Sequence, residues 1–124
     1  MPALADEWIL KAEGDAATAI REVAVQGTTN WDAVCFHAQQ AVEKYLKAVL
    51  LQQGTSFPKT HDLVVLHGLV LQKFPSLNLN AHDLNWLTFA AVEARYPGIT
   101  ASPGDAQKAV MIMQSCRGIL RSIL

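Results

Sequence analysis

The chain has 124 residues, the size of one domain, and 51% hydrophobic against 17% charged residues makes a packed core feasible and argues against global disorder. Its formal net charge of −1 speaks against a strong non-specific nucleic-acid binder, which would be basic overall, but leaves room for a local basic patch. The two cysteines, Cys35 and Cys116, lack zinc or redox spacing and read as buried free thiols.

Asp6, Glu7 and Lys11 interrupt the apolar residues at the N-terminus, unlike the core of a signal peptide. No apolar run reaches the roughly 20 residues that cross a bilayer. A cytoplasmic protein without a membrane span is expected.

The first helix is predicted from Leu4 to Gln26. Leu4, Trp8, Ala12, Ala16, Ala19 and Val23 recur at spacings of three and four and form its apolar stripe, with Glu13, Asp15 and Glu22 turned away. Gly27 suits a helix stop, and Thr28, Thr29 and Asn30 supply capping side chains for the next helix. That second helix, Trp31 to Gln53, organises the chain. Val34, Ala38, Ala41, Val42, Tyr45, Ala48 and Val49 share one broad face. Gln40, Lys44 and Lys47 share another, with His37 at its edge and Glu43 beside it. Gly54 closes the helix.

Pro58 disfavours helix in the following connection. Thr60 is expected to cap a third helix with His61 and Asp62 in its first turn, running through Leu63, Val64, Leu66, Leu69 and Val70 to Lys73. Asn80 is expected to cap a fourth, shorter helix ending at Ala94, where Pro97 and Gly98 break the chain. Ser102 followed by Pro103 marks the start of the last helix, whose stripe is Ala106, Ala109, Val110, Met113, Cys116, Leu120 and Ile123. No segment alternates long enough for a sheet. The fold class is therefore all-α: an up-and-down four-helix bundle with an additional short helix, as a single domain over residues 1–124. The apolar reach of the second helix fits either a well-buried central helix or a face shared with a second copy, and a homodimer is expected.

Three blocks then stand in order: FHAQQAVEKYLKAVLLQQG, FPKTHDL and ARYPG, preceded by WILKAEGDAATAI. Together they resemble the HEPN family over nearly the whole chain. The resemblance implies a compact helical bundle, commonly dimeric, often encoded beside a minimal nucleotidyltransferase, in several cases as toxin and antitoxin. The family name refers to proposed nucleotide binding, and many members are metal-independent ribonucleases with a late Arg-x4-6-His motif. That motif is absent here: Arg95 is followed by YPGITASPG, and no arginine has a histidine at that spacing. The expectation is a binding module for a nucleotide, for RNA or for a nucleotidyltransferase partner, with no catalytic residues, metal or cofactor. The alternative is a ribonuclease toxin with a non-standard set of His37, His61, Arg95 and Tyr96.

The candidate phosphate- or nucleotide-binding residues are His37, Gln40, Lys44, Lys47, His61, Asp62, Arg95 and Tyr96. Cationic groups on one helical stripe can contact phosphate, and Gln40 can hydrogen-bond a base or ribose. The same stripe also reads as a solvated polar face with a Glu43–Lys47 i,i+4 pair. His61 and Asp62, beside Lys59, suit an anion site at a helix start, unless Asp62 takes those N–H groups itself. Arg95 can clamp phosphate and Tyr96 can stack on a base, or Arg95 can anchor its loop through Glu93 or Asp62. His67 and His82 read as surface residues. The four histidines show no metal-binding spacing, and there is no P-loop, G-x-G-x-x-G or G-x-S-x-G.

Overall fold

Five helices, and no strand among the described residues 3–124, make up the computed structural model: α1 (Leu4–Val23), α2 (Trp31–Gln52), α3 (Leu63–Leu71), α4 (Ala81–Glu93) and α5 (Pro103–Arg121). The central helix, α2, is the one helix that touches all four others, and α1 packs along it as the other arm of a hairpin. All seven residues of its expected apolar face are buried. Cys35, Leu46 and Leu50 are buried too, so the core wraps beyond that face. Each leucine-sized side chain removed from water contributes about 1.5–3 kcal/mol, and α2 supplies the surface against which the other helices gain it.

Local chemistry sets most of the ends. The side-chain carbonyl of Asn30 accepts from Ala33 N, and that of Asn80 from Asp83 N, each at 3.0 Å. Ser102 and Asp105 form a reciprocal capping box, Ser102 Oγ accepting from Asp105 N and Asp105 Oδ2 from Ser102 N, with Pro103 at the first position. At the end of α2, Gly54 sits at φ 65°, in the left-handed region. Thr55 N–H then reaches Leu50 O and Gly54 N–H reaches Leu51 O, which satisfies two otherwise free carbonyls.

Some expectations are corrected. The first helix ends at Val23 rather than Gln26. There the turn tightens into i→i−3 bonds, and the Glu22 carboxylate accepts from Asn30 N, drawing the chain into the hairpin. Leu4 lies outside the stripe and is exposed, and its neighbour Ala5 is the residue of the first turn that is buried. The cap of α3 is Asp62, not Thr60: Asp62 Oδ1 accepts from Val64 N at 2.9 Å, and Thr60 Oγ1 accepts from Asp62 N. His61 and Asp62 therefore precede the helix instead of forming its first turn. α3 also stops at Leu71, two residues short of Lys73. His67, expected at the surface, is buried, and its Nε2 finds no partner. Burial lowers its pKa, because the charged imidazolium would be poorly solvated there.

Candidate functional site

Along α2, Phe36, Gln40, Glu43, Lys44 and Lys47 stand at i, i+4, i+7, i+8 and i+11, so they share one face. Three other segments converge on it. From α1, Asp15 faces His37 Nδ1 at 2.8 Å and Lys44 Nζ at 2.5 Å. From the segment before α3, His61 Nδ1 lies 2.8 Å from Glu43 Oε1. From the turn after α4, the Arg95 guanidinium lies 5.1 Å above the Phe36 ring, which in turn meets the His37 ring edge-on.

The strip is less open than its helical-wheel pattern suggests. Glu43 is only 3% exposed and Lys47 7%, so the expected solvated i,i+4 pair is a buried one, 3.1 Å long. Gln39 Nε2 donates to Glu43 and to the carbonyl of His61, and its own carbonyl accepts from Gln40 Nε2. The Lys47 ammonium also lies between the rings of Trp8 and Phe57, at 5.5 and 5.7 Å. This network closes one end of the strip by joining α1, α2 and the chain leading into α3. A nitrogen facing a carboxylate carries the proton, so both imidazoles keep N–H at Nδ1. Their Nε2 atoms make no hydrogen bond among the described residues.

Of the eight candidates, His37, Gln40, Lys44, Lys47, His61 and Arg95 lie along this strip. Asp62 does not join as a ligand group, since its carboxylate is spent on the α3 cap. Tyr96 is 62% exposed and makes no side-chain hydrogen bond, so nothing holds its ring over the strip. Arg95 forms no ion pair with Glu93 or Asp62 and rests on Phe36 instead. Asp15 and Gln39 belong to the strip without standing out in the sequence. No local pattern marks them, because Asp15 meets its partners across the hairpin and Gln39 reaches the His61 carbonyl across the packed elements.

Among the strip's charges, three cations (Lys44, Lys47 and Arg95) face two carboxylates (Asp15 and Glu43). One positive charge is left over, and protonating either histidine adds to it. The strip is an open surface. A shallow depression bounded by Glu7, Trp8, Lys11 and Lys44 adjoins it, while a more enclosed cavity lies elsewhere, between α2, α4 and α5. Among the described residues no cluster of three or more His, Cys, Asp or Glu side chains could hold a metal ion.

A second polar cluster ties α1 and α5 to α2. Arg117 donates to both carboxylate oxygens of Glu13 and, through Nε, to the buried Tyr45 hydroxyl. Burial, followed by the nearby Glu13 charge, pushes the Tyr45 phenol up to about 12, and hydrogen bonds to Glu13 and Tyr45 raise Arg117. With the half-exposed Arg117 and Glu13 engaged with each other and with the buried Tyr45 phenol, this cluster serves the fold.

The HEPN domain family model matches residues 5–123. The chain belongs to the HEPN family. Two solved structures are similar to it along nearly their full lengths. TT1696 from Thermus thermophilus has a TM-score of 0.77 at 18% identity, covering 97% of this chain and 98% of that one. ST0689, an archaeal HEPN homologue, has a TM-score of 0.69 at 20% identity, covering 98% of each chain. At these identities the likeness establishes the HEPN fold. No curated protein matches the chain. No helix among the described residues is long and apolar enough to cross a membrane.

Proposed function

We propose that this HEPN chain is a non-catalytic binding module, acting as a homodimer, whose α2 strip holds a phosphate-bearing ligand such as a nucleotide. We further infer that it works with a minimal nucleotidyltransferase as one half of a toxin–antitoxin-like pair. The observation that carries the ligand reading is Arg95. Every other cation of the strip already faces a carboxylate, whereas Arg95 lies over Phe36 with its N–H fork free of any hydrogen bond or ion pair among the described residues. A guanidinium placed on a ring and left uncommitted is suited to a bidentate phosphate contact. Gln40 lies on the same face and can read a base or ribose edge.

Calorimetric titration with ATP, ADP and AMP tests this, repeated with Arg95→Ala and Lys44→Met. Arg95→Ala is expected to weaken binding by about tenfold, the loss of a charge-assisted hydrogen-bond pair. Absence of binding by the wild type, or variants that bind like it, would remove the nucleotide site and leave the partner role. Co-purification with a minimal nucleotidyltransferase expressed beside this chain tests that role separately.

A second reading has a specific observation behind it. His37 and His61 each set Nδ1 against a carboxylate at 2.8 Å, an arrangement that orients an imidazole for acid–base work through Nε2. A ribonuclease with a non-standard site predicts RNA cleavage that is lost in His61→Ala and in His37→Ala. Intact RNA after incubation with the wild type rules it out.

A further inference from the structure

On another side of the molecule, a cavity of about 170 Å³ opens where the end of α4 meets the starts of α2 and α5. That is far above the roughly 10–15 Å³ that admits one water. Its walls include three carboxylates, Asp32, Glu93 and Asp105, and the rings of Trp86 and Phe89. Asp32 Oδ1 accepts from Ala101 N, and Asp105 Oδ2 accepts from Ser102 N. Asp32 Oδ2, Asp105 Oδ1 and the whole Glu93 carboxylate have no partner among the described residues. The Lys108 ammonium lies over the Trp86 ring at 4.3 Å.

The rim is apolar. Phe89 is 60% exposed and Ile99 52%, and Val92 and Tyr96 are exposed as well. Phe89 and Val92 stand at i and i+3 on α4, so they form one apolar ridge, and Ile99 and Tyr96 follow it on the turn after the helix. A small cationic metabolite would fill the cavity and leave that ridge in water. A protein segment satisfies both parts.

We propose that this corner docks a partner-protein segment that inserts an arginine between flanking apolar residues. The guanidinium enters the carboxylate-lined cavity, where a planar cation can stack on Phe89 while donating to two carboxylates at once. The flanking apolar side chains cover Phe89, Val92 and Ile99. The charge complementarity selects the occupant: three carboxylates against the single Lys108 ammonium leave the cavity net negative, and the ridge carries no charge. None of the cavity-lining residues belongs to the α2 strip, so the docking surface stands or falls independently of the phosphate reading.

The probes are two capped tripeptides, acetyl-Leu-Arg-Leu-amide and its counterpart with citrulline, the neutral isostere of arginine. Each is titrated into the full ¹⁵N-labelled chain. The arginine peptide is expected to shift the backbone amides of Glu93, Ala101 and Asp105, with citrulline weaker by about fivefold or more, as expected for a charge-dependent contact. Glu93→Gln is expected to weaken the arginine peptide alone, and Phe89→Ser to weaken both peptides. Both side chains face solvent, so the variants keep the fold. Equal binding of the two peptides, indifference to Glu93→Gln, or shifts confined to Gln40 and His61 would overturn the proposal. So would a dimer in sedimentation that Phe89→Ser converts to monomer, since a second copy would then be what covers this face.

Discussion

Lys47→Met tests whether the network at the closed end of the strip is a buried ion pair and not a surface one. Methionine keeps an unbranched stem between Trp8 and Phe57 and deletes the charge. The Glu43 side chain, 4% exposed, is then left with His61 and Gln39 as partners. Removing one member of a buried pair costs about 3–5 kcal/mol, against about 0–1 kcal/mol for an exposed pair. The two remaining hydrogen-bond donors place the cost at the low end, about 3 kcal/mol. For 124 residues, an unfolding entropy of about 2.1 cal/mol/K per residue turns that into a Tm lower by about 11 °C. The double variant Glu43→Gln/Lys47→Met removes both charges, keeps an acceptor for His61, and is expected to recover most of the loss. Thermal unfolding by calorimetry and urea titration by circular dichroism measure both. A single-variant loss below about 1 kcal/mol, or a double variant no more stable than the single, would refute the reasoning.

Three further outcomes follow from the same geometry. Asp15→Asn removes the charge that holds Lys44 and His37, so it is expected to tighten phosphate-ligand binding several-fold in calorimetry, and weaker binding would contradict the charge count of the strip. His67 has a lowered pKa because it is buried, so the unfolded chain takes up its proton first; stability is present above the ordinary histidine value of 6.5 and lost as pH falls below it. His67→Leu is expected to flatten the urea-midpoint profile between about pH 7 and pH 5, the window set by that ordinary value. Burial pushes the Cys35 thiol up to about 11, with Asp105 and Asp32 adding to it, and Cys116 up to about 12. The unfolded thiols ionise first, so stability is retained below their ordinary value of 9.0 and falls as pH rises toward 11; native protein at pH 8 is expected to resist a thiol-specific reagent that labels both cysteines in denaturant.

The legible parts of the fold are those governed by residues close in sequence. The α2 apolar face follows from a 3.6-residue period, and the Asn30, Asn80 and Ser102–Asp105 caps involve neighbours three residues apart. The start of α3 is ambiguous in the sequence because Thr60 and Asp62 are both good caps, and the choice rests on where the chain leaves the His61–Glu43 contact. His67 reads as a surface residue because of its polar ring, although its position completes the i, i+3, i+4, i+7 stripe of Leu63, Leu66 and Val70 that is buried. The Arg95 contact with Phe36 joins residues 59 positions apart, beyond any local pattern.

Taken alone, the amino-acid order determined five helices, most of their caps, the buried flank of α2 and, through its ordered blocks, the HEPN family. Packing alone decided which polar side chains meet. Glu43 and Lys47 look solvated on a helical wheel, yet Trp8, Phe57 and His61 cover them. Asp15, one of several acidic residues on α1, becomes the partner of His37 and Lys44. The physical reason is range: helix periodicity and capping act within a turn or two, whereas burial and charge pairing depend on which helices lie against each other.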